Sequence, residues 1–453
     1  MKKSNFLILP VILSMIITLF LPFSAFALEE PTLTCRNAIL VDAQYDEILY
    51  EKGAHEKVYP ASITKVMTAL LVLDAIKSGS LTPSTPVTAS AEAADIPSGS
   101  STANIQAGEV LTVEQLLYCL LLPSANEAAQ ILAEAVSGSQ SAFVDAMNQK
   151  AKELGCEGTH FVNPHGLHDD NHYTTPYDII LYMKAAMEYD LFQTIISKPN
   201  FEIPATNLSE KRIVRNTNGL VSNFKYLGYL YLDKGIGGKT GTTPEAGHCL
   251  VQAAKDDDTY LISVIMGAEE VEQGDGTTDR RQFSETIRLL DWGFDNFHHT
   301  TISGDSEPVA SVRVTLSTET DQVMVKPQGS ISRTLPKEID IENMEQKIQL
   351  FRDEVAAPVE AGQVLGTMTL SYEGEIYGTL DLVADTSVSR SELLYRMDQI
   401  SSFFQQSGVK VALVAVLAVV VLLLLRIFVF QKKRRYRSTS SSRRGRYSGR
   451  RSR

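Results

Sequence analysis

From Val411 to Phe430 the chain runs through twenty residues interrupted only by Arg426. As a helix that run is long enough to cross a hydrocarbon layer of roughly 30 Å. Every backbone group must be satisfied internally there, so the segment reads as a transmembrane helix spanning 409–430, and the rest of the chain is arranged around it. Arg426 sits near the end of the run, where its side chain can reach the interface. Behind it come Lys432-Lys433-Arg434-Arg435-Tyr436-Arg437 and a Ser/Arg tail to Arg453. Such a cluster stops transfer and touches anionic membrane lipids, so 431–453 is expected to be a cytoplasmic tail on a single-pass membrane protein whose bulk faces outward. The other end carries Lys2 and Lys3, an apolar stretch from Phe6 to Phe23, and Ala25-Phe26-Ala27. That order of charge, apolar core and small-residue site is a secretory signal peptide, 1–27, with the mature chain starting at Leu28.

Charge then limits the partners. Residues 1–27 and 409–453 contain no acid, and thirteen Lys and Arg lie in the latter. The segment between them holds all 54 acidic residues against 27 basic ones, a net of -27. Such a surface repels nucleic acid, so no nucleic-acid partner is expected. Cys35, Cys119, Cys156 and Cys249 show no framework spacing. Cys119 and Cys249 fall in apolar runs, as buried free thiols do.

The segment 28–304 alternates strand-like and helix-like patterns. Residues 37–50 read as a strand pair, and Pro60 to Ile76 as a helix apolar on nearly every face. Thr112 to Leu122 and Asn126 to Val136 are two further helices, separated by Pro123-Ser124-Ala125. The Lys255-Asp256-Asp257-Asp258 turn joins two strands as a hairpin, and a helix over 280–297 closes the domain. Over 305–390, Val312, Val314, Met368, Leu370, Leu380 and Leu382 alternate with polar residues, the pattern of a small all-β domain. In 391–408, Leu394, Met397, Ile400 and Phe404 recur at helical spacing, an amphipathic stem. The fold class is α/β (α+β): an antiparallel sheet flanked by helices, then an all-β domain and the membrane helix.

Three short patterns carry chemistry: Ser62-Ile63-Thr64-Lys65 at the start of the buried helix, Ser124-Ala125-Asn126 between two helices, and Lys239-Thr240-Gly241 on a strand. Ser and Lys three apart share one helix face. A serine needs an adjacent base to act as a nucleophile, and burial in an apolar helix lowers a lysine's pKa enough to make it one. Alone, Ser62 would be a helix cap and Lys65 a surface lysine. Ser-x-x-Lys also occurs at Ser222-Asn223-Phe224-Lys225 and at Ser407-Gly408-Val409-Lys410, with no Ser-x-Asn downstream of either. Only Ser62 has both followers. His160, His165, His168 and His172 with Asp169 and Asp170 lack the spacing of a helix-borne metal pair and read as a solvated loop, so no metal site and no cofactor is expected.

The three patterns in this order resemble the penicillin-binding proteins and serine β-lactamases. Leu122-Pro123-Ser124-Ala125-Asn126, Asn163-Pro164-His165-Gly166-Leu167 and Gly241-Thr242-Thr243-Pro244 make the chain most similar to the low-molecular-weight D-alanyl-D-alanine carboxypeptidases of peptidase family S11, over about 30–390. The resemblance implies a serine carboxypeptidase that trims peptidoglycan stem pentapeptides and is inhibited by β-lactam antibiotics. It implies Ser62 as nucleophile, Lys65 as base and Ser124 as proton relay. Asn126, Lys239, Thr240, Gly241 and Thr242 would bind substrate, with Lys239 on the terminal carboxylate and Arg212 or Arg215 next in line for it. A β-lactamase would share these patterns but needs a deacylating Glu in an E-x-x-L-N stretch, which the sequence lacks. A membrane penicillin sensor would need a signalling domain where only a basic tail follows.

Overall fold

The computed structural model describes residues 28–303, 307–339, 343–372 and 374–438. The leader assigned to 1–27 and the tail beyond 438 lie outside the described residues. Two units form: one reaching Thr301 and taking in the segment that starts at Ser332, the other built from residues 302–331 and from 341 onward.

In the first unit a helix with apolar residues on every face must be central. That helix is α1 (Thr64–Lys77), where Val66, Met67, Ala69, Leu70 and Val72 are all buried. Each such Val, Leu or Met stabilises the unit by about 1.5–3 kcal/mol. α2 (Val113–Leu121) starts with a capping box between Thr112 and Gln115, and α3 (Asn126–Ser137) ends at Gly138. α4 (Pro176–Met187) has Thr175 as its cap and a proline in its first turn, where no amide proton is needed. α5 (Arg281–Asn296) closes the unit's main body.

The strands β1 (Asn37–Asp42), β2 (Glu47–Lys52), β3 (Asn200–Ile203), β4 (Arg212–Arg215), β5 (Gly235–Thr243), β6 (Gly247–Asp256) and β7 (Thr259–Ala268) follow in chain order. Five of them make one antiparallel sheet, β2-β1-β7-β6-β5, while β3 and β4 pair separately. Successive side chains of a strand face opposite ways. Ile39 and Val41 join the cluster around α1, and Ala38 and Leu40 join Leu289, Leu290 and Phe294 of α5. Helices therefore cover both faces, and β5 is left as an edge. The four cysteines are free and buried; Cys119, Cys156 and Cys249 lie in the α1 cluster and Cys35 in the α5 cluster.

The second unit is a six-stranded sheet in which Val312, Val314, Val323, Val325, Met368, Leu370 and Leu382 alternate inward. A helix over Glu392–Gln405 with no buried residue follows it. The last helix, Ser407–Ser438, holds a 25-residue span, Ser407–Gln431, in which an 18-residue window reaches a mean hydropathy of 3.2, long and apolar enough to cross a membrane.

Candidate active site

Ser62 lies in a single 3-10 turn, Ala61–Ile63, that feeds directly into α1. Ala61 adopts φ +46, a left-handed conformation that a non-glycine residue holds only under outside constraint. The constraint is visible. The Val162 amide donates to His172 Nδ1 at 3.1 Å, which leaves Nε2 to carry the proton. His172 Nε2 lies 2.8 Å from Thr64 Oγ1, and that hydroxyl donates to the Ala61 carbonyl at 2.8 Å. Gly166, at φ +87, presses on the same carbonyl: a Cβ there would sit 1.8 Å from the Ala61 oxygen. The turn that presents Ser62 is thus clamped by the 160–175 loop.

Lys65 is fully buried, and its Nζ lies 3.0 Å from Ser62 Oγ, 2.7 Å from Asn126 Oδ1 and 2.7 Å from the His165 carbonyl. Burial, with the nearby Lys239 charge adding to it, holds its pKa well below the usual lysine range; Glu127 opposes the shift. The partner set suits a neutral amine. Two contacts are carbonyl oxygens that can only accept; a neutral amine would meet them with its two N–H groups and turn its lone pair to Ser62 Oγ.

Ser124 sits between α2 and α3 at φ +65. Its hydroxyl is buried without a partner among the described residues, in the cleft that also contains Ser62. The cleft, about 100 Å³, is bounded opposite by Thr240, Gly241 and Thr242 of β5. A Cβ on Gly241 would lie 2.9 Å from the Pro60 carbonyl, so glycine lets the edge strand approach the Ser62 turn. Thr240 Oγ1 is 2.7 Å from Thr217 Oγ1, and Thr242 Oγ1 donates to the Gly241 carbonyl. Asn126 opens α3 and faces Lys65. Lys239 is elsewhere than its edge-strand position suggests. Its side chain is 1% exposed, donates to the Thr240 carbonyl at 2.8 Å, and is pushed down to about 7 by burial.

Several contributors carry no sequence signal. The His165 carbonyl is backbone, and Thr217 lies far from every motif. Glu127 accepts from Thr102 Oγ1 and the Ala103 amide, both at 2.7 Å, and so fixes the segment next to Ser101. The polar His loop is not uniformly solvated. His160, Asp169 and Asp170 face out, but His165 and His172 are buried because backbone amides at Leu167 and Val162 supply their ring nitrogens with donors. Among the described residues no group of His, Cys, Asp and Glu could hold a metal.

Burial lowers His165 from 6.5 to about 3, with the Lys65 charge assisting, and His172 to about 4, against the pull of Asp169. Both rings stay neutral in the folded protein. The unfolded chain binds the extra protons between pH 6.5 and these folded values, so stability falls as pH drops through that window. The loss is up to about 1.4 kcal/mol per pH unit for each ring. Thermal midpoints measured from pH 7 to pH 4 should decline, and decline less steeply in His172→Asn. Parallel slopes in the two proteins would refute this assignment.

Comparison with known proteins places the chain among relatives. The family model described as D-alanyl-D-alanine carboxypeptidase matches residues 24–270, and that of the penicillin-binding protein 5 C-terminal domain matches 297–390. The D-alanyl-D-alanine carboxypeptidase DacF of Bacillus subtilis is 30% identical over 81% of this chain and 91% of its own length. DacC of Escherichia coli is 32% identical over 79% and 86%. Among solved structures, penicillin binding protein 5 from Haemophilus influenzae superposes with a TM-score of 0.62 at 26% identity, covering 80% of this chain and all of that one.

Proposed function

Because the chain belongs to the D-alanyl-D-alanine carboxypeptidase family, we propose that it removes the terminal D-alanine of peptidoglycan pentapeptides through an acyl-enzyme on Ser62. The observation that carries the residue assignment is the buried Lys65 amine, 3.0 Å from Ser62 Oγ and tied to two carbonyl acceptors. The substrate backbone lies along the free edge of β5, as an added strand does. Neutral Lys65 takes the Ser62 proton, and the alkoxide attacks the penultimate D-Ala carbonyl. The Ser62 and Thr242 amides receive the oxyanion. Ser124, whose hydroxyl has no competing partner among the described residues, passes a proton to the departing D-alanine, and water then cleaves the ester. Asn126 orients both Lys65 and the substrate amide. Thr240 and Gly241 line the approach, and Lys239 fixes the Thr240 carbonyl from beneath.

On this reading 28–304 is the catalytic domain and 305–390 a separate β domain. The apolar helix anchors the protein among membrane lipids, with the catalytic unit outside and the basic tail in the cytoplasm. A β-lactam enters the same cleft and acylates the same serine. The test is release of D-alanine from a pentapeptide by the full-length protein in detergent micelles. Steady release with slow loss of penicillin is expected. Rapid penicillin hydrolysis without D-alanine release would instead make the protein a β-lactamase.

A further inference from the structure

The Ser222-Asn223-Phe224-Lys225 stretch has the spacing of the catalytic pattern but no role in the chemistry above. The fold nevertheless brings its lysine to the site. Of the described residues lining the cleft that contains Ser62 and Ser124, Lys225 is the one with a charge. A second cleft of about 260 Å³ adjoins the first through Thr217 and Lys225 and adds Arg212 and Arg215. Arg212 is engaged, 2.9 Å from the buried Glu109 carboxylate. Arg215 stacks its guanidinium 3.7 Å from the centre of the Phe224 ring, and the Lys225 amine lies 5.1 Å from that of Tyr226. No carboxylate among the described residues forms an ion pair with Arg215 or Lys225. Two positive charges thus stand uncompensated along one wall, one of them inside the catalytic cleft.

A carboxypeptidase must recognise a free carboxylate next to the bond it cuts. Lys239 is poorly placed to do so by contact: it is enclosed and its amine is engaged by a backbone carbonyl. An exposed, unpaired ammonium at the mouth is better suited, since a charge-assisted contact formed only with substrate costs nothing in the empty enzyme. We propose that Lys225, with Arg215 behind it, is the specificity-determining cation that holds the free C-terminal carboxylate of the D-alanyl-D-alanine peptide. The assignment rests on the carboxypeptidase function. It makes the discarded Ser-x-x-Lys repeat a contributor through its lysine alone.

The experiment compares, in full-length protein in detergent micelles, an acylated D-Ala-D-Ala peptide with its C-terminal amide. The readout is the ratio of kcat/KM, acid over amide. Lys225→Gln should lower that ratio by about tenfold to a hundredfold, mainly through KM of the acid. Arg215→Gln should lower it less, and Lys225→Arg should keep most of it. Added salt should narrow the ratio in the unsubstituted protein and do little in Lys225→Gln. Equal losses on acid and amide, or no change in either, overturn the proposal and return the carboxylate to Lys239. Equal cleavage of both peptides by the unsubstituted protein sinks the proposal while the enzyme stands. Cleavage of neither removes the carboxypeptidase function and the proposal with it.

Discussion

Penicillin added to the full-length protein is expected to leave one covalent adduct, on the peptide that carries Ser62, and Ser62→Ala should abolish it. Lys65→Ala should nearly abolish it too. On the proposed mechanism the two side chains act as a unit, with one supplying the oxygen and the other, 3.0 Å away, the lone pair that takes its proton. Loss of either from such a unit typically costs several orders of magnitude, and the double variant should be little worse than each single one. The rate of acylation should also fall as pH drops through the lowered pKa of Lys65, since an ammonium has no lone pair to offer. The β-lactam's amine stays tethered after ring opening and shields the ester, so the adduct should persist long enough for mass spectrometry. An adduct on Ser222 or Ser407, or one retained in Ser62→Ala, would sink the mechanism.

Gly166→Ala should also be strongly damaging, although the residue touches no substrate. Its added methyl would have to occupy space 1.8 Å from the Ala61 carbonyl oxygen and 2.8 Å from Thr64 Oγ1, at a φ of +87 that alanine resists. Either the turn presenting Ser62 moves or the 165–166 segment does, and the latter carries the carbonyl that anchors Lys65. A shift on the order of 1 Å in such a constellation costs about a hundredfold in rate, and overpacking of this kind costs about 1–3 kcal/mol in stability. Gly138→Ala is the control. It shares a positive φ, +76, but has open space around it, so it should lose about 1 kcal/mol and keep its turnover. A Gly166→Ala protein within threefold of the unsubstituted turnover would contradict this account.

Much of the architecture was legible because it follows from local pattern. All-round apolar character marks α1 as central, period-two alternation marks the second unit, and the acid-rich turn at 255–258 joins β6 to β7. The residues of the proposed site were legible as candidates because three motifs coincide. What the sequence concealed depends on long-range contact. Ala61 and Ser124 take left-handed conformations that only glycine advertises. The edge position of β5 suggested an exposed Lys239, but Lys239 stands opposite Val251 on the buried side of the strand. Polar composition suggested a wet loop at 160–175, yet His165 and His172 turn inward to backbone donors that no pattern announces. Lys225 was set aside because its Ser-x-x-Lys lacks the follower motifs, and its place at the cleft depends on how the chain between β4 and β5 folds back.

The buried thiols make the first unit self-reporting. Burial pushes all four up to about 12, so the folded protein holds them as unreactive thiols. With no disulfide among them, the fold owes nothing to an oxidant. A maleimide reagent can then reach a cysteine only when the layer above it opens. Cys35 lies on the α5 side of the sheet and the other three on the α1 side. Comparing their labelling rates gives separate clocks for the two halves of the sandwich, and shows whether a bound β-lactam slows one half or both.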